Sequence, residues 1–229
     1  PNQVVVTITK QNYYRYRAVV SVIPAEGPYV VYNAVTISDP EPGGNNNGNP
    51  DFDESLQLSV ALRNVGIETA ANVVATLSTA DAFVTVTDSQ ASYGSIAPDE
   101  TVSIPGGYTV VTADNIPDQH VVSFTLSATD GNDIWESNFS LTANAPVPEI
   151  GSLTVLDNGP GCNNDGILDP GETAALVIPC SNTGHSLVTN VNTTLAIAGG
   201  ASAYLTLNSS SFSIGSLAAG ATEDAVFNV

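Results

Sequence analysis

Short segments in which apolar and polar residues alternate recur along the chain. The clearest is residues 56–63, where Leu56, Leu58, Val60 and Leu62 alternate with polar or small side chains. A period of two places these four side chains on one face of a β-strand, so we predict a strand with one buried face. Similar alternation, or a run of β-branched residues, predicts further strands at residues 4–9, 18–23, 72–78, 83–87, 101–104, 108–112, 121–127 and 138–142.

Turn-forming residues separate these segments at intervals of about ten residues. Gly, Pro, Asn and Asp stand between successive apolar segments, and we find no stretch with the 3.6-residue period of an amphipathic helix. Regularly spaced short strands with such turns are typical of β-sandwiches. We therefore predict an all-β fold of the sandwich type.

The second half of the chain repeats the first at a nearly constant distance. The Asn-Val-Gly at residues 64–66 is matched by Asn-Thr-Gly at 182–184, which lies 118 positions later. Further matches are Asn72-Val73 with Asn190-Val191 and Leu77 with Leu195 at 118 positions, and residues 94–97 with 215–218 at 121 positions. Self-similarity of this kind indicates tandem homologous domains, so we predict two copies of one sandwich.

The ends of the chain do not coincide with the ends of the repeats, so we predict three parts. Residues 1–28 are the last two strands of a sandwich, residues 29–146 a first complete sandwich, and residues 147–229 a second sandwich that lacks its last two strands. This division follows because residues 1–23 resemble the strands at 121–142, which have no counterpart in the second copy.

Each copy contains a loop with the spacing of a calcium site. With Gly166 or Gly48 at position 6 of a twelve-residue loop, side-chain oxygens fall at positions 3, 5, 9 and 12, and position 7 offers its main-chain carbonyl. The predicted ligands are Asn45, Asn47, Asn49, Asp51 and Glu54 in the first loop, and Asn163, Asp165, Ile167, Asp169 and Glu172 in the second. We predict that calcium binds these loops and stabilises the fold.

Position 1 of each loop departs from the EF-hand pattern, because Gly43 and Gly161 stand where an EF-hand has Asp. A carboxylate lies four residues earlier in both copies, at Asp39 and Asp157, and we predict that it supplies the missing ligand. An EF-hand also needs flanking helices, whereas these loops lead into strands. The alternative is that the loops are only polar turns, since Asn, Asp, Gly and Pro are common turn formers.

The two cysteines, Cys162 and Cys180, both lie in the second copy. We predict a disulfide that joins the loop to the following strand, which fits an oxidising compartment. The alternative is two buried thiols. A catalytic pair of a cysteine with His185 has no orienting motif around it, and His120 stands outside any active-site motif as well. We therefore predict that the chain is not an enzyme.

The charge of the chain narrows its partners. The formal net charge is −19, with only four basic residues. Nucleic acids and anionic membrane surfaces require a basic surface, so neither is a predicted partner. No apolar segment approaches the roughly 20 residues of a transmembrane helix. An acidic chain of this kind suits an extracellular or cell-surface location, with loops that bind cations.

Two stretches resemble the modules that follow the catalytic domain in gingipain-type cysteine peptidases and related secreted bacterial surface proteins. These are residues 5–16, VVTITKQNYYRY, and residues 163–172, NNDGILDPGE, with the Asn-x-Gly that follows. The resemblance covers nearly the whole chain and implies tandem immunoglobulin-like β-sandwiches, calcium-binding loops and a surface or secreted location. The peptidase part is not among these residues, so peptidase activity is not implied. The Asn-rich first loop departs from the acidic pattern.

These features favour a non-catalytic structural or adhesive module: a calcium-stiffened tandem sandwich that forms a stalk or a head-to-tail fibre by strand complementation. Its partners would be other copies of the chain, or neighbouring repeats of a longer chain that supply the missing strands. The alternative is a carbohydrate-binding or accessory module of a secreted peptidase or glycosidase, which binds surface glycan through an exposed aromatic platform. Trp135, near a predicted hairpin tip, is the best platform candidate, although only 7% of residues are aromatic.

Overall fold

Every regular element that the structure describes is a β-strand. The computed structural model describes residues 3–21, 26–199 and 204–229. Its strands are β1 (Gln3–Ile8), β2 (Tyr16–Ser21), β3 (Val30–Ser38), β4 (Ser55–Asn64), β5 (Ala70–Ser78), β6 (Val84–Asp88), β7 (Gln90–Ile96), β8 (Thr101–Ser103), β9 (Tyr108–Thr112), β10 (His120–Thr129), β11 (Ile134–Ala143), β12 (Pro148–Ile150), β13 (Thr154–Leu156), β14 (Ala175–Asn182), β15 (Val188–Thr194), β16 (Ser211–Leu217) and β17 (Thr222–Asn228). The predicted all-β class is confirmed.

Strands β3–β11 form two sheets, which we call the first sandwich. One sheet has the order β11-β10-β5-β7, and the other has the order β3-β4-β9-β6 with β8 also paired to β4. The predicted buried face of β4 is confirmed, because Leu56, Leu58, Val60 and Leu62 are at most 1% exposed. These side chains belong to one apolar core with Phe124 and other residues of the facing sheet.

Two strands of the first sandwich, β3 and β7, were not among the strands predicted from the sequence. β7 buries Ala91, Tyr93 and Ile96, but its pairing with β5 contains a register shift. The shift accompanies positive φ angles at Asn72 and Gly94. A bulge of this kind interrupts the two-residue alternation from which a strand is recognised, and the serines and glycine between the apolar residues resemble a turn.

Strands β12–β17 form a smaller second sandwich. β14 pairs with β12 and β13 along one edge and with β17 along the other, while β15 pairs with β16. The strands of the two sandwiches lie within residues 29–146 and 147–229, and the division of the chain into repeats stays a prediction. Among the described residues, the second sandwich has no strands in the places that β10 and β11 take in the first.

A buried asparagine closes the same turn in both sandwiches. The Asn64 side-chain amide donates to the carbonyls of Glu68 (2.7 Å) and Ile96 (2.9 Å), and its oxygen accepts from the amides of Tyr29 (3.0 Å) and Gly66 (2.9 Å). Asn182 makes the corresponding four bonds, to Ser186, Leu217, Val147 and Gly184. Both asparagines are 0% exposed. The repeated Asn-x-Gly of the sequence is therefore an anchor for the incoming linker.

The glycine of this motif is needed because the linker passes directly over it. A Cβ on Gly184 would lie 2.2 Å from the carbonyl oxygen of Ala145, and one on Gly66 would lie 2.5 Å from that of Gly27. Such distances are far inside van der Waals contact, so any larger residue would displace the linker.

Strands β1 and β2 form an antiparallel hairpin that pairs with no other strand among the described residues. The strands predicted at residues 4–9 and 18–23 correspond to this hairpin, except that residues 22 and 23 lie outside the described residues. Its apolar side chains are exposed, among them Val4 at 52%, Ile8 at 60% and Tyr16 at 62%. The hairpin is therefore an apolar element without a core.

Candidate metal-binding loops

Loop 1, residues 39–54, winds around the carboxylate of Asp39. The Asp39 oxygens accept from the backbone amides of Asn47 (3.0 Å) and Gly48 (2.9 Å), and the residue is 2% exposed. Gly48 has a φ of +76°, so the predicted turn glycine does occupy the left-handed region. Asp39, which the sequence suggested as a ligand, thus holds the turn of the loop closed with both of its oxygens.

The remaining polar side chains of loop 1 converge on Asp51. The amide groups of Asn45 (3.0 Å) and Asn47 (2.6 Å) both donate to Asp51 Oδ2. The oxygens of Asn45 and Asn47 accept from the backbone two residues further along, which shapes the loop into successive Asx turns. Asn49 donates its backbone amide into this series, and Glu54 accepts from the backbone amide of Asp51 (3.1 Å).

Two features of loop 1 show a deficit of positive charge. Asp51 is 2% exposed, and its Oδ1 atom is buried without a hydrogen-bond partner. Burial, together with the nearby charges of Asp51 and Asp39, raises the pKa of Glu54 to about 7. An orphaned buried carboxylate oxygen is costly, and a bound cation would remove that cost. The residues present therefore fit a hard, oxygen-seeking cation such as calcium.

The set of ligands would include more than carboxylates. No three His, Cys, Asp or Glu side chains of the described residues are grouped as a metal centre by themselves. Calcium also accepts amide and main-chain carbonyl oxygens, which such a grouping leaves out. In loop 1 the amides of Asn45 and Asn47 would have to turn, so that their oxygens replace the nitrogens that now face Asp51.

Loop 2, residues 157–172, has a similar framework of internal hydrogen bonds. Asp157 accepts from the backbone amides of Asp165 (3.0 Å) and Gly166 (3.1 Å), as Asp39 does in loop 1. Asn163 donates to the carboxylates of Asp165 and Asp169. The other predicted positions join the same framework: Ile167 donates its amide to Asp165, and Glu172 accepts from the amides of Asn163 and Asp169.

The two loops differ in how far they are covered. Asp51 and Glu54 are buried, whereas Asp169 is exposed and Glu172 is half-buried. In loop 1, Thr112 donates to the carbonyl of Asp51, and the backbone of Asn144 pairs with that of Phe52 (2.9 Å). Loop 2 instead borders an open cavity of about 620 Å³. The segments that pack over each loop, rather than the loop sequence, thus decide how far its carboxylates are exposed to solvent.

The structure corrects the predicted disulfide, because Cys162 and Cys180 are both free. The Cys162 thiol lies against the carbonyl of Thr173 (3.5 Å), two residues before β14, whereas Cys180 is near the far end of that strand, opposite Ile150. Seven residues of extended strand span roughly 23 Å. A disulfide requires Cα atoms within about 7 Å.

The structure also corrects the proposed aromatic platform. Trp135 is 7% exposed, lies opposite Ala128 across the β10–β11 pair and belongs to the core of the first sandwich. It therefore presents no flat surface to a sugar. The residue lies close to the hairpin tip in sequence, but its position on the inner face of β11 places the ring in the core.

A contact between the two sandwiches was not visible in the sequence. Asp118 accepts from the backbone amide of Ala145 in the linker (2.9 Å) and pairs with the ring of His185 in the second sandwich (2.7 Å). Although burial opposes the shift, these donors hold the pKa of Asp118 below its usual value. The two partners are 67 residues apart, so no local signal predicts the pair.

Loop 1 also lies at this junction. Its residues Asn45, Asp51 and Glu54 line a cavity of about 240 Å³ together with Ser186 and Leu187 of the second sandwich. The other histidine, His120, is paired with Asp81 (2.8 Å) within the first sandwich. The loop with the strongest case for a cation is thus the part of the first sandwich that faces the second.

Comparisons with known proteins assign no family. No protein-family model matches the chain, and no curated protein matches it. One similar solved structure is the chaperone–tip adhesion subunit pre-assembly complex CsuC–CsuE, from the archaic chaperone-usher Csu pili of Acinetobacter baumannii. The identity is 10% and the TM-score 0.21, over 77% of this chain and 86% of that chain. A likeness this distant carries no argument about function, and the resemblance to gingipain-associated modules stays a prediction. Within the described residues, no helix could span a membrane.

Proposed function

We propose that the chain is a non-catalytic structural or adhesive module of an extracellular or cell-surface protein, in which calcium stiffens a rod of two immunoglobulin-like β-sandwiches. The observation that carries the proposal is the position of the orphaned Asp51 oxygen, in the loop that faces the second sandwich. A cation there orders the surface on which the angle between the sandwiches depends.

The contacts between the two sandwiches favour a rod over two sandwiches that move independently. The linker leaves β11 and is fixed within four residues, since Ala145 donates to Asp118 and Val147 donates to Asn182. The backbone of His185 also donates to the carbonyl of Ala145 (3.0 Å). A linker pinned on both sides has little freedom to swing. The part of the junction that can still move is loop 1, because its carboxylates repel one another when no counterion is bound.

Calcium would supply charge neutralisation and a common centre for the loop oxygens. Asp51 and Glu54 would bind directly, and the turned amides of Asn45 and Asn47 would complete the site. Loop 2 would hold a second, more exposed ion through Asp165, Asp169 and Glu172. A carbohydrate-binding role has less support, since the best candidate aromatic residue is buried.

The proposal is tested by calcium titration of the 229-residue chain and a matched pair of variants. A hundredfold excess of calcium over its dissociation constant should add about 2.7 kcal/mol to the free energy of unfolding. Calcium should also narrow the distribution of shapes seen by small-angle X-ray scattering. Glu54→Gln should abolish the narrowing, whereas Glu172→Gln, in the loop away from the junction, should retain it.

Glu136→Gln serves as the control for charge alone, because Glu136 is exposed on β11 outside both loops. If chelation of calcium changes neither the melting temperature nor the scattering curve of the unsubstituted chain, the calcium-stiffened rod is wrong.

A further inference from the structure

Hairpin β1–β2 presents one apolar face without a partner. Its register pairs Val4 with Val20, Val6 with Ala18, and Ile8 with Tyr16, so these six side chains share one side of the hairpin. The opposite side is mixed, because Val5 and Val19 share it with Thr7 and Arg17. An isolated two-stranded hairpin is at best marginally stable in water. This face is therefore built to pack on something.

The second sandwich has an apolar area that no strand covers among the described residues. Among the described residues β15 pairs with β16 alone, whereas β5, its counterpart, lies between β7 and β10. Leu195 is half-buried, whereas the equivalent Leu77 is 1% exposed. On the neighbouring edge, Ile150 is 77% exposed. The equivalent Tyr32 instead stacks on Phe139 of β11 at 4.8 Å. We call this open area, bounded by β15, Leu195 and Ile150, the β15 groove.

The first sandwich shows what fills such a groove. There the hairpin β10–β11 buries Val122 and Phe124, and Phe139 stacks on both Phe124 (5.2 Å) and Tyr32. Its cross-strand pairs are Val122 with Leu141 and Phe124 with Phe139.

The sequence match sets the two hairpins in one register. When Gln3 is aligned with Gln119, as their shared Pro-x-Gln suggests, Val6 and Ile8 take the places of Val122 and Phe124. The cross-strand partner of Ile8, Tyr16, then takes the place of Phe139. In the β15 groove, Tyr16 would therefore meet Ile150. Two exposed apolar side chains would bury each other.

We propose that hairpin β1–β2 of one copy fills the β15 groove of a second copy, which links the chains head to tail. The inference rests on the proposed structural role and names the partner that extends the rod. Charge favours the contact, because the hairpin holds three of the four basic residues and none of the 23 acidic ones. The rest of the chain is therefore strongly acidic and attracts it.

A chain cannot fill its own groove. The hairpin enters the first sandwich at the Asn64 end of β4, where Asn64 accepts from Tyr29, and the second sandwich follows from the opposite end, near Asp51. The ten residues of β4 span about 33 Å. The six residue steps from Ser21 to Gly27 reach at most about 22 Å. The hairpin of a second copy is not limited by this distance and can reach the groove.

The test uses two full-length variants that break opposite sides of the contact. Ile8→Asp disables the hairpin face, and Ile150→Asp disables the groove. Thr7→Asp is the matched control on the other side of the hairpin, with the same charge change. By sedimentation velocity, the unsubstituted chain and Thr7→Asp should assemble as concentration rises. Each of the other two variants should stay monomeric at ten times the concentration that half-assembles the unsubstituted chain.

A mixture of the two monomeric variants gives the decisive result. Ile150→Asp still has a hairpin and Ile8→Asp still has a groove, so the mixture should form a 1:1 dimer that grows no further. A monomeric unsubstituted chain at high concentration, or a mixture that stays monomeric, would overturn the proposal. Calcium stabilisation is measured separately on monomeric Ile8→Asp, so loss of assembly with retained calcium stiffening refutes only the head-to-tail contact.

Discussion

At the scale of single residues, the clearest result is that equal sequence spacing gave equal contacts. Asn64 and Asn182 each make four buried hydrogen bonds to corresponding partners. Asp39 and Asp157 each accept from the two amides at the tip of their loop. Most of these bonds join residues near one another in sequence or adjacent on paired strands, so the sequence could locate them. The bonds to Ile96 and Leu217 instead cross to strands of the other sheet.

The cysteines give a residue-scale prediction. Since Cys162 and Cys180 lie at opposite ends of β14, thiol titration of denatured, unreduced protein should find two thiols per chain. In the native state Cys162 should react first, because it is half-buried and Cys180 is 5% exposed. Cys162→Ser should remove the fast-reacting thiol and Cys180→Ser the slow one. A titre of zero would show that a disulfide forms after all.

At the scale of elements, the turn that precedes β10 acts as the clamp between the sandwiches. Asp118 has a depressed pKa in the folded chain, so its stabilising contribution is full above the pKa of an unfolded aspartate, about 3.9. It is lost as the pH falls through the lower folded pKa, because the protonated carboxyl no longer favours its donors.

A double-mutant cycle measures this clamp. Asp118→Asn combined with His185→Gln should give a coupling free energy of at most about 1 kcal/mol near pH 6, since the His185 side chain is 58% exposed and solvent screens the pair. The coupling should vanish below the folded pKa of Asp118. Asp130→Asn is the control: its pKa is also lowered, but by amides of its own turn, away from the junction. A coupling that persists in strong acid would assign the contact to packing instead.

The strands themselves were predictable where one face is buried throughout. Residues 108–112 were predicted with the bounds of β9, and β4 with its buried face. β7 was missed because a bulge breaks its alternation. The hairpin β1–β2 was predicted as two strands, yet its runs of β-branched residues could not show that neither face is covered.

At the scale of the whole molecule, the two sandwiches should differ in stability. The described core of the first contains large, fully buried side chains from both sheets, whereas much of the second core is only partly buried. Less apolar area removed from water means less stabilisation. Calorimetry of monomeric Ile8→Asp should therefore resolve two transitions, with the second sandwich melting first.

The equivalent asparagines assign the transitions. Asn182→Ala should lower the first transition and Asn64→Ala the second, by about 4–8 °C for each kcal/mol lost. Both substitutions leave buried backbone groups without partners, so their costs should be similar. A single transition that both variants shift equally would mean that the sandwiches unfold as one unit.

The sequence by itself determined the all-β class, the loops and their turn glycines, and the anchoring Asn-x-Gly, because each depends on local backbone geometry or a fixed period. Only the tertiary structure decided that Trp135 is buried, that Cys162 and Cys180 are apart, and that Asp118 meets His185. It also decided that Asp51 is buried while Asp169 is exposed to solvent. Burial and long-range pairing depend on which distant segment packs over a residue. The two loops have similar sequences, but different segments pack over them.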